Sequence, residues 1–130
     1  MLKTQMLTSL QNAIVKDVAK IVSRRSRHRH DPFVIEGPNL VETALEKSSR
    51  AKLQSLFFTE AFRDRNTSRL TDALVDAHEA GAKLYEVTEP IMAKISHTKT
   101  PQGIAAVAMY QHWEQSEIDI QSGPLLLLDG

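Results

Sequence analysis

The chain has no cysteine among its 130 residues. That excludes disulfides and every cysteine-based zinc site, and it is compatible with a reducing compartment. No apolar run approaches the roughly 20 residues that cross a bilayer as a helix. Internal repeats and low-complexity tracts are also missing. So is net charge, because 16 Lys and Arg balance 16 Asp and Glu. With 42% hydrophobic and 25% charged residues, the composition is that of a soluble globular domain, and a chain of this length buries a core without a covalent staple.

The neutral total hides an asymmetry. Residues 1–30 carry seven Lys and Arg against one acid, Asp17, whereas residues 31–130 carry nine against fifteen. Much of the excess lies in Arg24-Arg25-Ser26-Arg27-His28-Arg29-His30, just before Asp31-Pro32. A basic end on an acidic body fits a polyanionic partner met through one face. An acid-poor, Arg- and Ser-containing, helix-forming start is also the composition of a mitochondrial presequence. Here the run leads straight into a strand signal with no linker, and it is read as part of the fold.

Leu10, Ile14, Val18, Ile21 and Val22 recur at helical spacing and predict an amphipathic helix over about 9–23. "PFVIEG" predicts a buried strand closed by Gly37, and "NLVETALEKSS" a helix capped by Asn39 with Glu42 completing a box. "LQSLFFTE" is a second strand, and "NTSRLTDALVDAHEAG" a helix that Gly81 terminates. "AKLYEVT" follows as a strand and "TEPIMAKIS" as a short helix, with Thr88 as cap and Pro90 in its first turn. "GIAAVAMY", apolar at successive positions, predicts a strand covered on both faces. The order implies an α/β three-layer sandwich around a mixed sheet of about four strands. Residues 1–112 form the domain in this reading. Residues 113–124 are a polar linker, and "LLLLDG" at 125–130 opens a second domain; a terminal edge strand of the first domain is the alternative.

Taken in order, "TSLQNAIVKDVAKIVSRRSRHRHDPFVIEGPNLVETAL", "VTEPIMAKISHTKTPQGIAAV" and "LLLLDG" resemble the SpoU (TrmH) family of RNA 2′-O-ribose methyltransferases. Each motif is weak alone, and their order and spacing carry the likeness from about Thr8 to Gly130. The resemblance implies an N-terminal substrate-binding domain, similar to ribosomal proteins that bind kinked RNA, ahead of a knotted methyltransferase domain that "LLLLDG" would begin. It implies S-adenosylmethionine as the full-length enzyme's cofactor, with the cofactor site and catalytic residues beyond Gly130, so that 1–130 alone holds none of them. It further implies a cytoplasmic protein, homodimeric at full length and monomeric over this stretch. Which RNA, ribosomal or transfer, is not specified.

The candidate RNA contacts follow. Arg24, Arg25, Arg27 and Arg29 carry guanidinium groups suited to phosphate oxygens, against a solvated charge run at a helix end. Asn12 and Lys16 lie one helical turn apart and extend that surface. Thr98, Lys99, Thr100 and Gln102 occupy a Pro-Gln-Gly loop whose hydroxyls, amine and amide suit sugar and phosphate, or simply turn chemistry. His28 and His30 read as auxiliary donors, because no third metal ligand stands at a standard spacing. A lone Glu36 reads as support for the next helix start, with Gly37 making the turn. Phe33, Phe57 and Phe58 are expected in the core, and Phe62 is a loose stacking candidate. Two other classes stay open: a free-standing RNA-binding protein of the ribosomal type, and a protein-interaction module.

Overall fold

The computed structural model describes residues 3–24, 31–46, 50–98 and 100–110. Ten elements follow one another: β1 (Thr4–Leu7), α1 (Ala13–Ser23), β2 (Phe33–Glu36), α2 (Pro38–Ala44), β3 (Ala51–Thr59), α3 (Glu60–Arg65), α4 (Thr67–Glu79), β4 (Lys83–Val87), α5 (Glu89–Lys94) and β5 (Ile104–Tyr110). The expected three-layer α/β sandwich is present, with five strands rather than four. The added strand, β1, buries only Leu7 of its four residues, so its sequence lacks the alternation that announces a strand.

The sheet order is β1-β4-β3-β5-β2. Strand β4 pairs parallel with β1 and β3, whereas β5 runs antiparallel to β3 and β2. Strands β1 to β4 therefore share one direction, and their carboxyl ends meet the start of β5 at one end of the sheet.

Strand β5 shows why both faces need cover. Ile104, Ala106 and Ala108 enter a core with Val41 of α2, Phe62 of α3 and Leu70, Ala73 and Ala77 of α4. Their neighbours Ala105 and Val107 enter the opposite core with Val15 and Val18 of α1 and Ile91 and Met92 of α5. Each large apolar side chain buried this way contributes on the order of 1.5–3 kcal/mol. Packing therefore holds six-residue α5 in place, since so short a helix is unstable alone. The Phe57 and Tyr85 rings stack 5.2 Å apart on the α1 side, where burial pushes the Tyr85 hydroxyl above its usual pKa.

Two helix starts depart from expectation. Helix α2 begins at Gly37 with Pro38 in its first turn and no side-chain cap. Asn39 is turned outward, where it accepts a hydrogen bond from Arg69 Nη2 at 2.6 Å. Thr88 holds the N-cap position of α5 without a side-chain bond. Gly81 ends α4 as expected: its N–H donates to His78 O and that of Ala82 to Ala77 O, a Schellman turn.

Candidate nucleic-acid interface

At the carboxyl end of β2 the chain passes from Glu36 to Gly37, whose N–H donates to Ile104 O at 2.9 Å. This bond ties the strand-to-helix turn to the start of β5. Gly37 has φ +90°, and a Cβ there would lie 2.9 Å from Gln102 Nε2. The missing side chain is what lets the Gln102 amide lie over the turn.

Glu36 does not serve the helix that follows it. Its carboxylate accepts from Ser96 Oγ, from the His97 N–H and, at 3.4 Å, from Thr98 Oγ1. Both oxygens are thereby engaged by the segment after α5, which has crossed from β4 to the far edge of the sheet. Charge-assisted bonds of this kind are roughly twice as strong as neutral ones. A loop with no regular structure is held in one place by a single side chain, which argues for Glu36 as an anchor and against a free base.

The loop so anchored presents Thr98, Thr100 and Gln102 to solvent. Lys99 between them lies outside the described residues. Ser96 is buried, while the His97 side chain is exposed. The exposed groups are hydroxyls and an amide, able both to donate and to accept, as ribose hydroxyls and phosphate oxygens require.

The other expected contacts lie elsewhere. Arg24 follows α1, its guanidinium 3.1 Å from the Asp31 carboxylate. This pair precedes β2, whereas the anchored loop adjoins its last residue, so the two stand at opposite ends of a strand on the order of 10 Å long. Arg25, Arg27, Arg29, His28 and His30 fall outside the described residues, as does "LLLLDG". Asn12 is half-buried and caps α1, its Oδ1 accepting from Ile14 N at 2.8 Å. It follows β1, on the opposite edge of the sheet from β2, and opens α1, which packs against β2 and α5. Lys16 is exposed one turn along α1. Arg24 and the loop thus lie at opposite ends of β2 rather than forming one cluster. Phe62 is no stacking surface, being 3% exposed inside the core.

Residues 12–106 match the model of the MRM3-like substrate binding domain. The chain belongs to that family. It is 31% identical over 101 residues to the 23S rRNA (guanosine(2553)-2′-O)-methyltransferase RlmP of Bacillus subtilis, an alignment covering 78% of this chain and 36% of that protein. It is 28% identical over 108 residues to an uncharacterized tRNA/rRNA methyltransferase of Synechocystis, covering 82% and 37% respectively. The fold is similar to that of an AdoMet-bound rRNA methyltransferase from Sinorhizobium meliloti, with a TM-score of 0.69 at 23% identity over 88% of this chain and 40% of that one. The chain therefore spans little more than a third of the length of the curated relatives it matches. The family's matched segment runs from the cap of α1 into β5 and includes both Glu36 and the loop it anchors.

Proposed function

We propose that the chain is the RNA-recognising part of an S-adenosylmethionine-dependent RNA ribose 2′-O-methyltransferase acting on ribosomal or transfer RNA. The supporting observation is the loop at 96–102, fixed by Glu36 to the end of β2 and presenting hydroxyl and amide groups, in a domain of a substrate-binding family. Thr98, Lys99, Thr100 and Gln102 would meet sugar and phosphate. Arg24, Arg25, Arg27 and Arg29 would meet phosphates at the other end of β2, and Lys16 adds to the positive field. Asn12 serves first as a helix cap.

The same reading takes 1–112 as the recognition domain, 113–124 as its linker and 125–130 as the start of a catalytic domain. It places the complete protein in the cytoplasm, as a homodimer formed through that domain. Among the described residues, Glu36 at the end of β2 is engaged by Ser96, His97 and Thr98, and half-buried Glu86 near the end of β4 by Arg63. No step of methyl transfer is assigned within the chain.

The test is binding of the chain to ribosomal and transfer RNA across a salt series, beside a variant with Arg24, Arg25, Arg27 and Arg29 changed to Gln. Affinity should fall with salt. The variant should bind more weakly with a shallower slope, by about 0.7–0.9 for each phosphate that is no longer neutralised. No affinity for either RNA at low salt overturns the reading and favours a protein-interaction module.

A further inference from the structure

We infer that Tyr110, braced by Phe33, is a stacking site for an unpaired nucleobase at the amino ends of the strands; this rests on the RNA reading above and adds a site distinct from the Glu36-anchored loop. The observation is a contrast within one strand. Ile104 to Ala108 of β5 are buried, yet Tyr110 at its end is 55% exposed. Single exposed apolar residues are ordinary. Tyr110 differs in that its ring is held in place and its charged neighbours are of a particular kind.

The Phe33 ring lies 4.9 Å from that of Tyr110, centroid to centroid, at an interplanar angle of 34°. Phe33 is half-buried against the α2 side of the core, so it fixes the tyrosine from within and leaves it open outward. The backbone beneath is a strand with a neighbour on each side. Tyr110 pairs with Ala51 of β3. On the other side, the β2–β5 register of Phe33 with Ala108, continued by two residues, brings Asp31 level with Tyr110. Asp31 holds the Arg24 guanidinium at 3.1 Å, and Arg50 directly precedes Ala51. An exposed ring on a rigid strand thus stands between two strand starts that each carry an arginine.

This arrangement has the part that sequence-tolerant binding of single-stranded nucleic acid uses for its bases, an open π-face on a rigid strand, with Arg24, already paired with Asp31, and Arg50 at the neighbouring strand starts. Nucleobases stacked inside a duplex are closed to it, so its ligand is an unpaired base in a loop, bulge or strand end. A protein partner would make different demands. It would need a continuous apolar area rather than one ring bordered by charge.

The experiment measures binding of the whole chain to a structured ribosomal RNA fragment with an unpaired loop, and to a fully paired duplex of equal length, for the wild type, Y110F, Y110L and Y110A. Stacking is worth about 1–3 kcal/mol per base, so Y110L and Y110A should lose roughly 5- to 150-fold on the looped RNA. Y110F should bind within about twofold of wild type, and salt slopes should not change, because every phosphate partner is kept. Leucine keeps the apolar bulk, so loss in Y110L with an unchanged melting temperature excludes a folding defect. Wild-type affinity in Y110L, while the chain still binds RNA in a salt-dependent manner, overturns the stacking site and leaves the RNA reading intact. Equal loss on duplex and looped RNA overturns it also. If the wild-type chain binds neither RNA at low salt, both readings fall together.

Discussion

Gly37 and Gly81 share φ +90°, yet Gly37 has ψ 150°, outside the left-handed helical region in which the Schellman turn places Gly81, and the two stand in different surroundings. A Cβ at Gly81 meets nothing within 4 Å, whereas one at Gly37 runs into the Gln102 amide. An L-residue in the left-handed region at Gly81 costs about 1–2 kcal/mol, whereas the region Gly37 occupies is essentially open to glycine alone, so the cost there is larger. G37A should therefore lower thermal stability more than G81A, even though Gln102 has a flexible end that can move away. Only G37A should also weaken RNA binding, because only it displaces a loop side chain. If G81A weakens binding equally, general destabilisation is the cause and Gln102 is not a contact. Glu36 gives a sharper test, since two explanations predict opposite signs. E36Q removes a negative charge beside the RNA, which by simple electrostatics tightens binding. If Glu36 acts by holding Ser96, His97 and Thr98 in place, E36Q loosens the loop and weakens binding by roughly three- to tenfold, the worth of a charge-assisted bond after partial replacement by the amide. Tighter binding by E36Q would remove its positioning role.

At the scale of elements, what the sequence disclosed depended on how much of each element is buried. Helix α4 was legible because Leu70, Ala73 and Ala77 repeat at helical spacing and are all buried. Strand β5 was legible because its apolar residues are consecutive and divide between two cores. Helix α3 was not, since its six residues bury Phe62 alone and the rest are polar. Asn39 was misread for another reason: a cap and a partner for a distant arginine use the same side-chain oxygen, and only the fold shows which is near. Arg69 of α4 reaches both Glu42 oxygens, at 2.5 and 2.9 Å, and Asn39 as well. The bonds from Arg69 hold the Glu42 carboxyl below its usual pKa. A carboxylate depressed on folding stabilises the fold above its unfolded pKa, and that contribution is lost as pH falls through the folded value. Both partners are exposed, so the gain is small and screened by salt. R69A should melt slightly below wild type at neutral pH and low salt, and the two should converge below the carboxylate range or at high salt. A difference that persists under both conditions would mean Arg69 acts through packing of its stem rather than through Glu42.

On the scale of the whole molecule, the polarity of the sheet decides how the functional stretches relate, and no local pattern carries that information. The basic run, the first helix and the Pro-Gln-Gly loop were each visible as polar or charged segments joined to strands. The separation of the basic run from the loop follows only from the direction of β2, which sets Arg24 with Asp31 at its start and the Glu36-held loop at its end. Topology also gathers cations that are scattered in sequence. Lys3 precedes β1, Arg24 lies before β2, Arg50 precedes β3 and Lys83 opens β4, so the amino ends of the four like-directed strands each carry one. The carboxyl ends carry Glu36, Glu60 and Glu89 together with hydroxyl-bearing residues. The two ends should accordingly contribute to RNA binding in physically different ways. Neutralising Arg24 and Lys83 should reduce both affinity and salt slope, whereas T98V with Q102A should reduce affinity and leave the slope alone. Because the two sets share no partner and lie on the order of 10 Å or more apart, their free-energy costs should add to within about 0.5 kcal/mol in the combined variant. A coupling above about 1 kcal/mol, or a slope that responds to T98V and Q102A, would show that the RNA meets one continuous surface instead of two ends of a sheet.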